Sequence, residues 1–307
     1  MIRFIATRLV TGAIVVFLVS VATFGMFFLT PNNVARTMAG KAATPEVIAM
    51  INQRLGLDKS IWYQYSHFVS NALHGNLGYD YYHSVSVISI IKAAAPVSIS
   101  IAIGAAVIWL ILGVSSGILS AIRPRSIGDR VANILALFFY SMPTFVLGSV
   151  LLYFLFYKLT KSGISAFPAG GYVPWWGPIN PADPERGFWP WMHHLILPWI
   201  TLALVSAAAY TRFTRGSMLE VLGEDYIRTA RAKGISERRV IGRHALRSAL
   251  TPVVTQFGID LATLAGGTLV TEEIFGMHGL GWWSVTAITN QDLPVIVGIL
   301  LVVSVFV

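Results

Sequence analysis

From Leu9 to Leu29 the chain carries no charged side chain, and further apolar stretches run at 97–121, 131–157, 194–213, 251–271 and from 293 onward. About 20 apolar residues cross a hydrocarbon core. Six such stretches therefore predict an all-α integral membrane protein with six transmembrane helices. At 55% hydrophobic and 12% charged residues, the chain has more apolar material than one soluble core can bury. The first stretch follows Arg3 and Arg8 but is longer than the roughly 7–15 residues of a signal-peptide core, so it reads as an uncleaved span.

The net charge of +8 does not describe a nucleic-acid surface, because the bases cluster in short segments between spans. Arg3, Arg8, Arg123, Arg125, Arg130 and the link from Arg212 to Arg247 hold 14 of the 22 Lys and Arg. By the positive-inside rule these segments, and with them the N-terminus, are cytoplasmic. With no cysteine, the chain has no disulfide, thiolate metal site or lipoprotein anchor. The expected organisation is a tail and first span (1–30), a helical extracytoplasmic cap (31–96), and a core of five further spans (97–307) containing a cytoplasmic loop at 212–250.

In the cap, Thr44-Pro45-Glu46 opens a helix, with Val47, Ile48, Ile51 and Leu55 on one stripe. A second outer region, 158–192, is rich in Pro and Trp and reads as an irregular interfacial loop. The last span holds only 15 residues from Leu293, or roughly 22 Å of helix, and the natural chain is expected to continue.

Between the fourth and fifth stretches lies Glu224-Asp225-Tyr226-Ile227-Arg228-Thr229-Ala230-Arg231-Ala232-Lys233-Gly234. Its leading acids and trailing bases suit a helix dipole, Glu224 and Arg228 are spaced i,i+4, and Gly234 suits a left-handed helix stop. Tyr226, Ile227 and Ala230 form an apolar face for a partner cleft, small Ala230 permitting close approach, with Arg228, Arg231 and Lys233 at its rim. The alternative is a solvated amphipathic loop.

This segment, Arg54-Leu55-Gly56-Leu57-Asp58 with Trp62-Tyr63-Gln64-Tyr65, Gly75-Asn76-Leu77-Gly78, and Glu272 to Phe275 with Gly279-Leu280-Gly281 occur in an order that resembles the permease subunits of bacterial ABC importers of the dipeptide, oligopeptide and nickel branch. Two stretches depart from pattern: Arg228-Thr229-Ala230 stands where importers in general have Glu-Ala-Ala, and Met277-His278-Gly279 where this branch itself usually has Trp-Pro-Gly. The resemblance implies a type I importer permease of the bacterial inner membrane, in which Glu224, Asp225, Tyr226, Arg228, Thr229, Ala230, Arg231, Lys233 and Gly234 couple to an ATPase. It also implies a second permease, two ATPase subunits and an extracytoplasmic binding protein as partners. The chain has no GxxxxGK[ST] cradle, so ATP and Mg are expected on the partner ATPases and no cofactor on this chain. The resemblance implies a peptide as the cargo, with nickel or another small solute as the alternative.

Within the spans, Asp260 is a pathway candidate or the acceptor of a structural hydrogen bond. Glu272, nearer the hydrated outer end, is a candidate for a gate or binding-protein contact. Pro143, Gly266 and Gly267 are hinges or sites of tight packing. His193 and His194 are neighbours whose side chains diverge by about 100° on a helix, which disfavours one shared metal. An intramembrane enzyme would want a paired catalytic set, and Asp260 has no second acid at its depth; a channel working alone would not need a docking helix.

Overall fold

The computed structural model describes residues 2–29, 44–55, 58–80, 82–83, 85–176, 186–265, 267–290 and 292–306, and among these it is almost entirely helical. Two compact units are formed, one from Met1–Pro96 with Gly279–Val307 and the other from Val97–His278.

In the first unit, α1 (Ile2–Leu29) packs against α12 (Leu293–Phe306), which also packs on α11 (Leu280–Asn290). Leu9, Val10, Ile14, Phe17 and Leu18 of α1 are exposed, as an apolar helix facing lipid requires. Polar Ser20 turns inward and meets the Tyr65 hydroxyl of α3 (Ile61–Leu73) at 2.9 Å. α2 spans Pro45–Leu55 and begins at the expected Thr44-Pro45 signal, the Thr44 carbonyl accepting from Ile48 N–H. Its apolar stripe is not a packed cap at Val47, which is exposed; the side chains of Ile51 and Leu55 lie outside the described residues. A short hairpin pairs Tyr79 with Ser86. Its buried Asp80 accepts from the Tyr82 N–H at 2.7 Å, while the Tyr82 hydroxyl donates to the Asn290 carbonyl.

The second unit is built on two long helices. α4 (Val87–Ile122), which starts in the first unit, and α7 (Phe188–Leu222) have 36 and 35 residues, about 50 Å each. Both outreach a hydrocarbon core of roughly 30 Å. They approach through small residues. A Cβ at Gly113 would lie 2.6 Å from Tyr210 Cβ, and one at Gly117 only 2.7 Å from Thr214 Cβ, so no larger residue fits either position at this separation. Ser116 and Thr211 hydroxyls pair across the seam at 2.7 Å. Trp109, Ala203, Ala207, Tyr210 and Val253 fill the core beside it.

Two expected spans are interrupted. The stretch 131–157 divides into α5 (Ile127–Ser141) and α6 (Thr144–Lys161), because proline disfavours helical backbone in the residue before it and Met142 is extended at ψ 123°. The stretch 251–271 divides into α9 (Leu246–Ala265) and α10 (Leu269–Ile274). Gly267 there has φ +108°, a value that side chains rarely adopt. Four described helices are long and apolar enough to cross a membrane: Ile5–Gly25, Val87–Ile122, Thr144–Lys161 and Phe188–Leu222.

Candidate functional site

The charged segment folds as α8 (Asp225–Ala232), capped by Glu224 in extended conformation. Gly234 has φ +75°; its N–H bonds the Arg231 carbonyl at 2.9 Å and Ile235 N–H bonds the Ala230 carbonyl at 3.3 Å. This is the paired closure of a Schellman stop, at the expected residue. Arg231 then forks onto Glu237, Nε to Oε2 at 3.1 Å and Nη2 to Oε1 at 2.7 Å, bracing the turn. The arginine holds the Glu237 carboxyl below its ordinary range, chiefly through these hydrogen bonds.

The expected apolar face divides. Ile227 and Ala230, one turn apart, are 0% and 7% exposed and turn into the chain's own core, whereas Tyr226, a residue earlier and about 100° around the helix, is exposed. Ile227 and Ala230 belong to one cluster with Ala121 of α4, Met218 of α7, Val240 and Ala245 in the segment leading into α9, and Ala249 in its first turn. A partner cannot close on Ala230 while α8 keeps this seat. The Arg228 side chain pairs with Asp225 at 3.3 Å, whereas with Glu224 it shares the backbone i,i+4 bond, its N–H reaching the Glu224 carbonyl at 3.2 Å. The outward face consists of Asp225, Tyr226, Arg228, Thr229, Arg231 and Lys233.

Asp260 on α9 is half-buried. Its Oδ2 accepts from the Tyr210 hydroxyl at 2.7 Å and its Oδ1 from the Gln256 amide at 2.8 Å. Thr251, Thr255, Gln256, Gly258 and Thr263 of the same helix are exposed, interleaved with exposed Val254 and Ile259. Glu272 is not at a hydrated rim. It is 0% exposed, and its Oε1 accepts from Ser98 Oγ at 2.7 Å and Thr268 N–H at 3.0 Å, because α10 packs its first turn inward after the break at Gly267. Neighbouring Glu273 is exposed. Pro143 stands at the break between α5 and α6, its carbonyl accepting from Leu147 N–H at 3.1 Å. Gly266 lies outside the described residues. His193 and His194 donate to different loop carbonyls, of Ala166 and of Gly170. No group of three or more metal-ligating side chains occurs among the described residues.

The family model described as binding-protein-dependent transport system inner membrane component matches residues 113–307. A second, describing the N-terminal part of such membrane components, matches residues 1–102. The chain belongs to this permease family. It is similar to the probable peptide ABC transporter permease protein y4tP of Sinorhizobium fredii, with 37% identity covering 98% of this chain and 92% of the relative. The dipeptide transport system permease protein DppB of Escherichia coli is 36% identical, with 99% and 93% covered. The glutathione transport system permease protein GsiC of Escherichia coli is 35% identical, with 96% and 90% covered. The motif resemblance is thereby confirmed: this is a multi-pass inner-membrane permease, a transport component and not an enzyme.

Two polar arrangements in the permease escaped sequence reasoning. One is the Ser98–Glu272 pair. The other joins Arg215 of α7 to Asp129 of α5, Nε to Oδ1 at 2.7 Å and Nη2 to Oδ2 at 3.0 Å. The available signal was Asp129 itself, an acid among the bases Arg123, Arg125 and Arg130.

Proposed function

We propose that this permease forms half of the translocation pathway of an ATP-driven peptide importer. It pairs with a second, homologous permease, an ATPase subunit docks beneath each, and an extracytoplasmic binding protein delivers the cargo. ATP and Mg bind on the ATPase subunits. The names of the relatives, given for peptide, dipeptide and glutathione transport, support peptides as cargo. Six spans with a cytoplasmic N-terminus and a cytoplasmic 212–250 loop accord with the distribution of bases.

The seat of α8 carries this reading. Its outer face offers Tyr226, Arg228, Thr229 and Lys233 to an ATPase surface, while Ile227 and Ala230 are locked against α4, α7 and the start of α9. A rigid shift of α8 therefore moves the ends of three helices together. The polar residues of α9, with Asp260 and Gln256, face the pathway, and the breaks at Pro143 and at Gly267 let adjoining segments turn.

Purification of the permease with its native partners tests the assembly. Stoichiometric recovery of a second permease and ATPase chains, with ATP-dependent dipeptide uptake in reconstituted vesicles, is expected; recovery of the permease alone in an active form would overturn it. Single cysteines test orientation in a chain that has none. Ser236→Cys should react only from the cytoplasm and Ser60→Cys only from outside, and labelling of both from one face would refute the topology.

A further inference from the structure

The Asp129 carboxylate is 5% exposed and collects donors from three helices and a turn. Besides the fork from Arg215, it accepts from Ser120 Oγ of α4, from Asn133 Nδ2 of α5 at 2.6 Å, and from the Arg125 backbone N–H at 2.8 Å. Arg215 Nε also lies 3.0 Å from Ser120 Oγ. Arg215 and its hydrogen bonds, then Ser120 and the Arg125 N–H, hold the Asp129 carboxyl well below the usual carboxylate range, so it is ionised at neutral pH. Arg125 has φ +64°, the one left-handed non-glycine residue among those described. A backbone in that region persists only where its surroundings fix it, and here the Asp129 carboxylate takes its N–H. The α4–α5 turn is thus held in a single shape by the same group that grips α7.

The position of this clasp matters more than its strength. Arg215 lies one turn before Met218, and Met218 is the fully buried α7 side chain in the cluster that seats Ile227 and Ala230 of α8, with Leu219, Val221 and Leu222 of α7 packed against it. A displacement of α8 enters α7 at Met218 and meets α5 one turn later, at Asp129. The far end of α5 is the break at Met142-Pro143. Helices packed through apolar contacts can slide by small steps, whereas a two-bond guanidinium fork fixes distance and orientation together.

We infer that the Asp129–Arg215 clasp is a positioning element of transport, making α5 follow α7 when the coupling helix is driven. The inference rests on α8 being that coupling helix. Arg215 and Asp129 touch neither cargo nor nucleotide in this role; they act by keeping α5 and α7 in register.

The test uses the whole reconstituted transporter and reads ATPase activity with and without loaded binding protein. Arg215→Met and Asp129→Asn should assemble with the normal complement of ATPase subunits and keep basal hydrolysis. Their stimulation by loaded binding protein should fall roughly fivefold or more, within the range expected of residues that modulate coupling without touching ligand. Arg215→Lys, which retains charge but not the fork, should keep an intermediate response. Ser126→Ala supplies the structural control: it removes the hydroxyl that caps α5 at the Asp129 N–H without touching the ion pair, and its stimulation should be normal. Full stimulation in Arg215→Met, or equal loss in Ser126→Ala, overturns the inference. Gly234→Val separates the two levels. If it uncouples while Arg215→Met does not, only the clasp fails; if Gly234→Val also leaves stimulation intact, the reading of α8 fails with it.

Discussion

Ser98 donates its hydroxyl to the Glu272 carboxylate across 2.7 Å although 174 residues separate the two, and both side chains are sealed from solvent. The acid is tolerable there because three donors, Ser98 Oγ, Thr268 N–H and Thr268 Oγ1, converge on one of its oxygens. Ser98→Ala deletes one of these hydrogen bonds and should lower stability by about 0.5–1.5 kcal/mol. Glu272→Ala should cost more, since it strands the donors of α4 and the α10 cap, while Glu272→Gln keeps an acceptor and should fall between wild type and Glu272→Ala. Thermal unfolding of the detergent-purified permease measures the order, and a Glu272→Ala protein as stable as wild type would show that the contact does not secure α10.

The ion pairs near α8 predict an absence of pH dependence. Asp129 and Glu237 are both held below their ordinary values of 3.8 and 4.5, by Arg215 and Arg231 respectively. A carboxyl with a depressed folded-state pKa contributes stability that is complete above the unfolded value and lost only as pH falls through the folded one. Between about pH 5.5 and 8 neither pair changes charge, so substrate-stimulated ATPase activity should show no titration from them. A step in that window that disappears in Asp129→Asn would contradict the ionised clasp.

Elements set by local chemistry were legible in the sequence. The α2 start at Thr44-Pro45 and the α8 stop at Gly234 need only a few neighbouring residues, and both form where expected. The expected spans 131–157 and 251–271 were harder, because proline and glycine in an apolar run suit either an unbroken, tightly packed helix or a break, and tertiary packing decides. The apolar side of α8 had the same ambiguity, since Ile227 and Ala230 fit a partner cleft as well as the chain's own core. Long-range pairing was not legible locally, since even Asp129, conspicuous among its neighbouring bases, does not name its partner. Asp129 and Arg215 lie 86 residues apart, and nothing beside Glu272 announces Ser98.

Asp260 faces a different trade-off from Glu272. It is half-buried, its two oxygens take neutral donors from Tyr210 and Gln256, and no Lys or Arg pairs with it among the described residues. Asp260→Asn keeps the shape and an acceptor for Tyr210, so assembly and thermal stability should change by less than about 1 kcal/mol. If the carboxylate faces the pathway, uptake should drop while the complex remains intact, because its charge in a span is costly unless used or hydrated. Unchanged dipeptide uptake in Asp260→Asn vesicles would reduce the residue to a structural acceptor.

The two faces of α8 allow docking to be separated from seating. Arg228→Glu and Tyr226→Ala alter exposed side chains and should leave the stability of the isolated permease within about 0.5 kcal/mol of wild type. Both should weaken ATPase retention during purification and lower uptake. Ala230→Asp puts a carboxylate into a seat that is 7% exposed, against Met218 and Val240, and should destabilise the isolated permease by upwards of 1–3 kcal/mol. Gly234→Val acts through the backbone alone, since nothing lies within 4 Å of an added Cβ while φ is +75°. Its cost of about 1–3 kcal/mol is torsional, and Gly234→Asn should recover part of it because asparagine tolerates the left-handed region. Loss of uptake is therefore expected in all the variants except Gly234→Asn, with the larger losses of permease stability in Ala230→Asp and Gly234→Val and a smaller one in Gly234→Asn. Normal ATPase retention and uptake in both Arg228→Glu and Tyr226→Ala would mean that the outward face of α8 is not where the ATPase grips.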